Sequence, residues 1–187
     1  QRENGFRGGN RHMRKATRIN EDHAKKVGPA ISRYAEAMGV DIIVMEHLDI
    51  SGKAKRKSNA QRLHMWRKRK IQDIVEHQAH RAGIRVRYIN PRNTSRLDFD
   101  GSGEVQRDQR NASLCRFSTG KQYNCDLNAS YNIGARYFIC ELLKPVSETE
   151  WSRLVAKVPE AGRRTSCTLS TLFSLHAVLN PKRCSVP

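Results

Sequence analysis

The sequence predicts an α/β fold, in which helices pack against short strands. Three features indicate this class. The apolar run 40–45 ends at Glu46 and has the length of a short buried strand. The segment 84–89 alternates apolar and basic residues with the period of a strand that has one apolar face. Helical patterns precede the first strand, separate the two strands and follow the second, an alternation typical of α/β proteins.

The first predicted helix begins at Asn20, which can cap it, and ends before Gly39. Its apolar residues fall on one face. Pro29 interrupts the pattern, so either one helix kinks there or a second helix starts. Before it, residues 1–19 combine basic residues with glycines, which predicts a flexible basic lead-in that passes into a helix. This lead-in is either a charged tail or an arm that contacts phosphate.

A second helix is predicted to follow the basic loop 51–59 and to end at Ala82, before Gly83. It has an apolar stripe, and its basic residues crowd one end. These are Arg62, Arg67, Lys68, Arg69 and Lys70. A solvated helix face accounts for some of them, but so many like charges repel one another unless a polyanion neutralises them. We therefore expect them to contact nucleic acid.

The segment 124–133 contains the polar pattern on which the rest of the chain depends. Asp126 lies at the mouth of a predicted third helix, followed by Asn128 and Asn132 four residues apart. Asp126 is either a helix cap, the common role of Asp there, or a metal ligand. A second acid, Glu46, ends the first strand, where open α/β sheets place ligands. Two such carboxylates can converge on one divalent metal site.

The composition points to a polyanionic partner. Lys and Arg number 35 against 18 Asp and Glu, which leaves a net charge of +17. This excess is beyond what solubility needs, so nucleic acid is the expected partner. No apolar run approaches the roughly 18 residues that span a bilayer, and no signal peptide is recognised. We therefore expect no membrane partner and a cytoplasmic location. The chain begins at Gln1, so a piece of a longer protein is expected.

Three motifs together resemble the C-terminal nuclease half of transposon-encoded TnpB proteins and their relatives, the type V CRISPR effectors. They are VMEHL at 44–48, NPRNTS at 90–95 and DLNASYNI at 126–133. The resemblance covers residues 7–143. It implies an RNase H-like fold of the RuvC type, a mixed sheet with flanking helices, here without its opening strands. It also implies a small inserted hairpin module.

In this family three acids bind two Mg²⁺ ions (or Mn²⁺) and cut a DNA strand that a guide RNA selects. By motif, Glu46 matches the second acid and Asp126 the third, which makes both catalytic residues and metal ligands. The first acid belongs to an opening strand upstream, and no residue here replaces it. Because two carboxylates do not readily hold two metal ions, the chain alone is expected to be inactive.

The resemblance also implies a zinc ribbon, from which this sequence departs. The family carries two C-x-x-C pairs before the third acid. The matching positions hold Asp98, Gly101, Cys115 and Ser118. One thiol of four does not provide tetrahedral sulfur coordination, so no zinc is expected. Basic residues of this module either guide a DNA strand or serve as solubilising surface: Arg107, Arg110, Arg116 and Lys121.

The resemblance divides the chain into five parts. These are the basic lead-in (1–19), the first part of the RuvC-like core (20–92), the inserted target-nucleic-acid-binding module (93–124), the last core helix (125–143) and a C-terminal tail (144–187). The tail shows two further helical patterns. No chemistry is assigned to it, and it is either disordered or in contact with guide RNA.

Two functions of different classes follow. The first is an RNA-guided DNA endonuclease, of which this is the nuclease portion, cutting phosphodiesters by two-metal-ion hydrolysis. The second is a nuclease-silent protein of the same fold that targets or represses DNA. The presence of both Glu46 and Asp126 favours the first. A plainer alternative is a basic nucleic-acid-binding fragment in which both acids are structural.

Overall fold

The computed structural model of this protein describes residues 7–47 and 68–180, except the side chains of residues 7–10, 13 and 68. The chain divides into two compact units, Gln1–Arg87 and Tyr88–Pro187. Parts of five predicted features lie outside the described residues. They are the start of the lead-in (1–6), Leu48 of the first motif, the basic loop (51–59), the second helical pattern up to residue 67 and the end of the tail (181–187).

The described residues contain helices and short strands in alternation, which confirms the predicted mixture. The helices are α1 (Arg7–Ala37), α2 (Lys68–Arg81), α3 (Cys125–Leu143), α4 (Glu148–Lys157) and α5 (Leu169–Leu179), with a 3₁₀ turn at Pro159–Gly162. The strands are β1 (Ile42–Glu46), β2 (Arg85–Ile89), β3 (Gln106–Arg107), β4 (Leu114–Arg116) and β5 (Gln122–Asn124). No helix in this part of the chain is long and apolar enough to cross a membrane.

α1 is one helix that runs through Pro29. The prediction that Asn20 caps it was wrong, because the helix extends upstream and leaves Asn20 in its interior. Residues 7–19, the described part of the predicted lead-in, are helical because α1 begins upstream of Asn20. Its residues 11–16 are mostly Arg, Lys, Met and Ala, which favour helix. The predicted end is confirmed at Gly39, whose φ of 63° suits glycine.

α1 and α2 pack closely because the buried positions of α1 are all small. These are Ala24, Gly28, Ser32 and Ala35. Ser32 Oγ donates to the backbone oxygens of Gly28 and Val75, both at 3.4 Å. A Cβ atom at Gly28 would lie 2.5 Å from Ile74 Cγ2. The two helices are therefore in contact at Gly28 without room for another methyl group.

Replacing Gly28 by alanine should destabilise the first unit by about 1–3 kcal/mol, the usual cost of overpacking. Urea unfolding followed by circular dichroism measures the change. Gly134→Ala is the matched control, because Gly134 also lies in a helix but no atom is within 4 Å of its added Cβ. That control should be stabilised by up to about 1 kcal/mol. Equal stabilisation by both changes would contradict the close approach.

β1 and β2 form a two-stranded sheet, and both match predicted strands. A backbone hydrogen bond from Arg85 N to Asp41 O (2.9 Å) lies where the sheet starts. The sheet shares a core with both helices of its unit. That core contains Ala35, Ala79 and Ile84, with Ile43 and Val86 packed against them. The packing places the C-terminal end of β1, with Glu46, beside α2.

The inserted module, residues 93–124, contains a three-stranded antiparallel sheet in the order β3-β4-β5. Cys115 at its centre pairs with Arg107 on β3 and Tyr123 on β5. An isolated bridge between Leu97 and Glu104 closes a hairpin ahead of this sheet. A hairpin is thus present in the module, as the resemblance implies, and β5 leads directly into α3.

The C-terminal helices complete the core of the second unit. Buried residues from α3, α4, the 3₁₀ turn and α5 form one apolar cluster: Ile139, Leu154, Val158, Ala161, Cys167 and Leu175. Ser147 caps α4 by accepting from Glu150 N (3.3 Å), and Thr168 caps α5 in a capping box with Thr171. Both predicted helices are therefore present. Residues 148–179 supply core to this unit and are not a disordered tail.

Candidate active site

Asp126 lies in the first turn of α3, but it does not cap that helix. The cap is Asn124, whose Oδ1 accepts from Asp126 N (2.9 Å) and Leu127 N (3.0 Å). The Asp126 side chain is exposed, and no hydrogen bond or ion pair of its carboxylate is found with the described residues. Of the two roles predicted for Asp126, helix cap is therefore wrong. The oxygens of the Asp126 carboxylate are available to bind a hard cation.

Asn128 and Asn132 are fully buried and connect α3 to the start of the inserted module. Asn128 donates to Leu97 O (2.8 Å) and accepts from Phe99 N (2.9 Å). Asn132 donates to Leu97 O (2.9 Å) and to Thr94 O (3.1 Å). A buried amide with its hydrogen bonds satisfied has a single allowed orientation. These two side chains therefore fix the helix that carries Asp126.

Glu46 is the last residue of β1 and is half-buried. Its backbone oxygen accepts from Gln72 Nε2 at 2.8 Å. Gln72 belongs to the buried face of α2, so this bond ties the end of the strand to the helix. The strand end predicted from the apolar run is confirmed. The position of Glu46 is thus determined by a sheet and a helix of the first unit.

The two acids belong to different units, Glu46 to the first and Asp126 to the second. Across residues 7–47 and 68–180, no group of three or more His, Cys, Asp or Glu side chains is placed to hold a metal ion. Their predicted convergence on one metal site therefore stays a prediction. Each acid by itself offers oxygen ligands of the kind that Mg²⁺ and Mn²⁺ prefer.

The basic residues predicted to contact nucleic acid fall in two places. Arg62 and Arg67 lie outside the described residues, and Lys68 begins α2. Arg69 and Lys70 follow in α2 and are exposed, so both side chains are accessible to a polyanion.

Arg107 and Arg110 line a cleft of about 400 Å³ in the inserted module. Its other lining residues are Gln106, Asp108, Gln109, Leu114, Cys115, Arg116 and Gln122. Asp108 Oδ1 accepts from Arg110 N and Asn111 N, both at 2.7 Å. These backbone hydrogen bonds lower the pKa of Asp108 and shape the loop. Guanidinium and amide side chains on one concave surface suit a phosphate backbone.

An aromatic cluster joins the inserted module to α3. Phe99 lies at its centre, with ring centroids 5.1 Å from Tyr123 and 5.0 Å from Tyr131. Lys121 Nζ is 4.9 Å from the Phe99 centroid and 5.1 Å from that of Tyr123. The Tyr131 ring remains 41% exposed. An exposed ring beside a cation is an arrangement that nucleic-acid-binding surfaces use.

Arg136 is a structural residue that the sequence reasoning missed. It is 4% exposed, and its guanidinium donates to four backbone oxygens. Nε donates to Cys167 O (3.1 Å), Nη1 to Asn90 O (3.0 Å) and Arg92 O (2.6 Å), and Nη2 to Thr165 O (2.9 Å). The sequence does contain a signal for this role, because Arg136 is the single charged residue in the otherwise apolar stretch 133–140. A charged side chain in such a stretch is buried only where other groups pair with it.

Comparison with known proteins gives a family for part of the chain. Residues 69–133 match the family described as Cas12f1-like, TNB domain. This range is about a third of the chain. It includes α2 from its second residue, β2, the inserted module and the first turns of α3 with Asp126, Asn128 and Asn132.

One solved structure is also similar. It is a chain of a cryo-EM structure of a Cas12f1–sgRNA–target DNA complex, at 23% sequence identity and a TM-score of 0.49. The match covers 64% of this chain and 34% of that chain. This chain thus spans about a third of the length of the solved one. A TM-score at this level does not establish a shared fold.

The family match falls on two of the three motifs that carried the resemblance, NPRNTS at 90–95 and DLNASYNI at 126–133. It also contains the cleft lined by Arg107 and Arg110. Through residues 69–133, the match to the Cas12f1-like TNB domain confirms the predicted resemblance to the TnpB proteins and type V CRISPR effectors.

Proposed function

We propose that this protein is the nuclease portion of an RNA-guided DNA endonuclease with an RNase H-like core of the RuvC type. The observation that carries the proposal is the state of Asp126. Its carboxylate is exposed, and Asn124 rather than Asp126 caps the helix. The hydrogen bonds of Asn128 and Asn132 hold that helix in place. An acid with no structural task at a motif position suits a catalytic ligand.

Glu46 and Asp126 are the proposed ligands for Mg²⁺ or Mn²⁺. Such ions activate a water and stabilise the leaving oxygen of an in-line phosphodiester displacement. The residues of this chain provide the support: Asn124 caps α3, while Gln72 ties the end of β1 to α2. The remaining acid of the family's three, the first in order, is matched by no residue of this sequence, so we expect the 187 residues alone not to cut DNA.

Guide RNA and target DNA are the proposed partners. The net charge of +17 and the family relationship support them, and the basic surfaces give them places to bind. We assign Arg107 and Arg110 to a nucleic-acid backbone, with Arg69 and Lys70 as a second contact. Phosphate contacts position a strand without reading its sequence, so these residues would hold any target that the guide selects.

A nuclease-silent targeting protein is the second candidate. Such a protein would bind guide RNA and target DNA through the same basic surfaces. In such a protein, the exposed carboxylate of Asp126 would have no catalytic role.

The deciding experiment measures guide-directed DNA cleavage by the protein at its full natural length, bound to its own RNA, in Mg²⁺ and in EDTA. Cleavage in Mg²⁺ that EDTA abolishes supports the endonuclease. Target binding without cleavage in Mg²⁺ or Mn²⁺ supports the silent targeting protein. Equal binding of matched and unmatched DNA would contradict both.

Replacing Arg107 and Arg110 together by alanine should weaken binding of single-stranded nucleic acid by the 187-residue chain about 3–10-fold at 100 mM salt. A plot of log K, where K is the binding constant, against log salt concentration has a negative slope. Each lost phosphate contact should make that slope shallower by roughly 0.7. The matched control is Arg153→Ala with Lys157→Ala, which removes the same charge from exposed positions on α4. Equal losses in both variants would mean that only net charge matters.

A further inference from the structure

The inserted module has two turns where related proteins hold a zinc ion. The resemblance places zinc ligands at Asp98 and Gly101 in the first turn and at Cys115 and Ser118 in the second. The turns still meet, since Ser118 Oγ is 3.0 Å from where a Cβ atom on Gly103 would lie. The two turns are therefore in contact although the residues at the ligand positions differ from those of the family.

The side chains at these four positions do not fit a zinc ion. Gly101 has no ligand atom, and the Ser118 hydroxyl is a poor substitute for a thiolate. The Cys115 thiol is 1% exposed and donates to Tyr123 O at 3.5 Å. One thiol does not provide the tetrahedral set of donors that a structural zinc ion requires.

Asp98 is completely buried, and its carboxylate is bonded within its own turn. Oδ1 accepts from Gly103 N (2.9 Å) and Oδ2 from Ser102 Oγ (2.8 Å). Its backbone N also donates to Gly103 O at 3.0 Å. A buried carboxylate is costly without such partners, so its bonds hold the turn closed from inside.

The same turn is held from outside by two helices. Ser170 N, at the start of α5, donates to Phe99 O at 2.9 Å. A Cβ atom on Gly101 would lie 3.0 Å from the Ser170 side chain, so α5 covers the position of the second ligand. Asn128 on α3 bonds to the residues on both sides of Asp98. Protein groups surround the turn on the side where α5 packs.

We propose that the Asp98 carboxylate takes the place of the zinc ion in this module: it closes the first turn by hydrogen bonds, α5 packs over that turn, and the module folds without metal. Zinc in a ribbon connects the two turns through four bonds. Here one carboxylate closes the first turn, and contact between Gly103 and Ser118 joins it to the second. The C-terminal helices thereby acquire a role in supporting the inserted module.

The first test uses the 187-residue protein purified from zinc-supplemented medium. We expect less than about one zinc per ten chains by elemental mass spectrometry, because the donor set is inadequate. We also expect hydrogen exchange of residues 94–105 to be unchanged by a zinc chelator. About one zinc per chain, removed by the chelator with loss of protection in this segment, would overturn the proposal.

The second test compares Asp98→Asn with Asp100→Asn. Asp100 lies in the same turn but is exposed and accepts only from Ser102 N (3.0 Å). Asp98→Asn turns one buried acceptor into a donor, so exchange in residues 94–105 should accelerate at least about tenfold. The Asp100 variant should stay within about twofold of the unchanged protein. Equal exchange in the two variants would show that Asp98 does not hold the turn.

Discussion

Replacing Asp126 by alanine should reduce guide-directed DNA cleavage by the full-length protein at least about 100-fold in Mg²⁺ and leave target binding within about twofold. The loss is large because a metal ligand acts on charge that develops in the transition state, and each 1.36 kcal/mol corresponds to a factor of about ten in rate. Binding should be spared because the phosphate contacts that we propose are made by basic side chains elsewhere. Single-turnover cleavage and filter binding measure the two quantities.

The Asp126→Ala result can be read cleanly because the fold does not depend on this carboxylate. Asn124 caps α3, so the substitution removes only an interaction with the helix dipole, worth about 0.3–1 kcal/mol. Glu148→Ala is the matched control: Glu148 is an exposed acid in the first turn of α4, and its loss should leave cleavage unchanged. Unchanged cleavage by Asp126→Ala would make Asp126 structural and end the proposed ligand assignment.

The sequence predicted the position of this helix but left open whether Asp126 caps it. Asn and Asp are both favoured N-cap residues, and Asn124 and Asp126 are only two positions apart. Sequence patterns place helix ends to within one or two residues, which is too coarse to separate the two. The geometry of Asn124 Oδ1 with two backbone N–H groups decides the matter.

The start of α1 was missed for a different reason. Glycines at positions 5, 8 and 9 suggested a flexible chain, and Asn20 offered a plausible start. The helix propensity of the basic residues before Asn20 outweighed the tendency of Asn20 to begin a helix as its cap. The strand ends were predicted correctly because the apolar run to Glu46 and the glycine before Ile84 are local signals.

Whether Glu46 and Asp126 converge on one metal site is a question beyond local sequence patterns. A strand end and a helix start are each visible in a few residues, but their distance depends on how the two units pack. The buried amides show the same limit. The Asn128 and Asn132 spacing predicted one polar helix face, whereas only the structure identifies Leu97, Thr94 and Phe99 as their partners. Those partners are distant in sequence.

Replacing Arg136 by alanine should destabilise the second unit by about 2–4 kcal/mol. Its guanidinium holds two separate segments against α3, one at Asn90 and Arg92 and the other at Thr165 and Cys167. Without it, buried carbonyls lose their donor and a cavity opens. Arg153→Ala is the control, because Arg153 is exposed and such changes stay within about 0.5 kcal/mol. Urea unfolding measures both.

Arg136→Lys separates the charge from the shape of the guanidinium. Lysine keeps the positive charge but has one ammonium group in place of a planar fork, so it cannot donate to both segments with the same geometry. We therefore expect it to recover less than half of the stability lost in Arg136→Ala. Hydrogen exchange should rise in residues 90–92 and 163–168 together, since one side chain holds both. Full recovery by lysine would show that charge alone suffices, and exchange confined to one segment would show that the two are held independently.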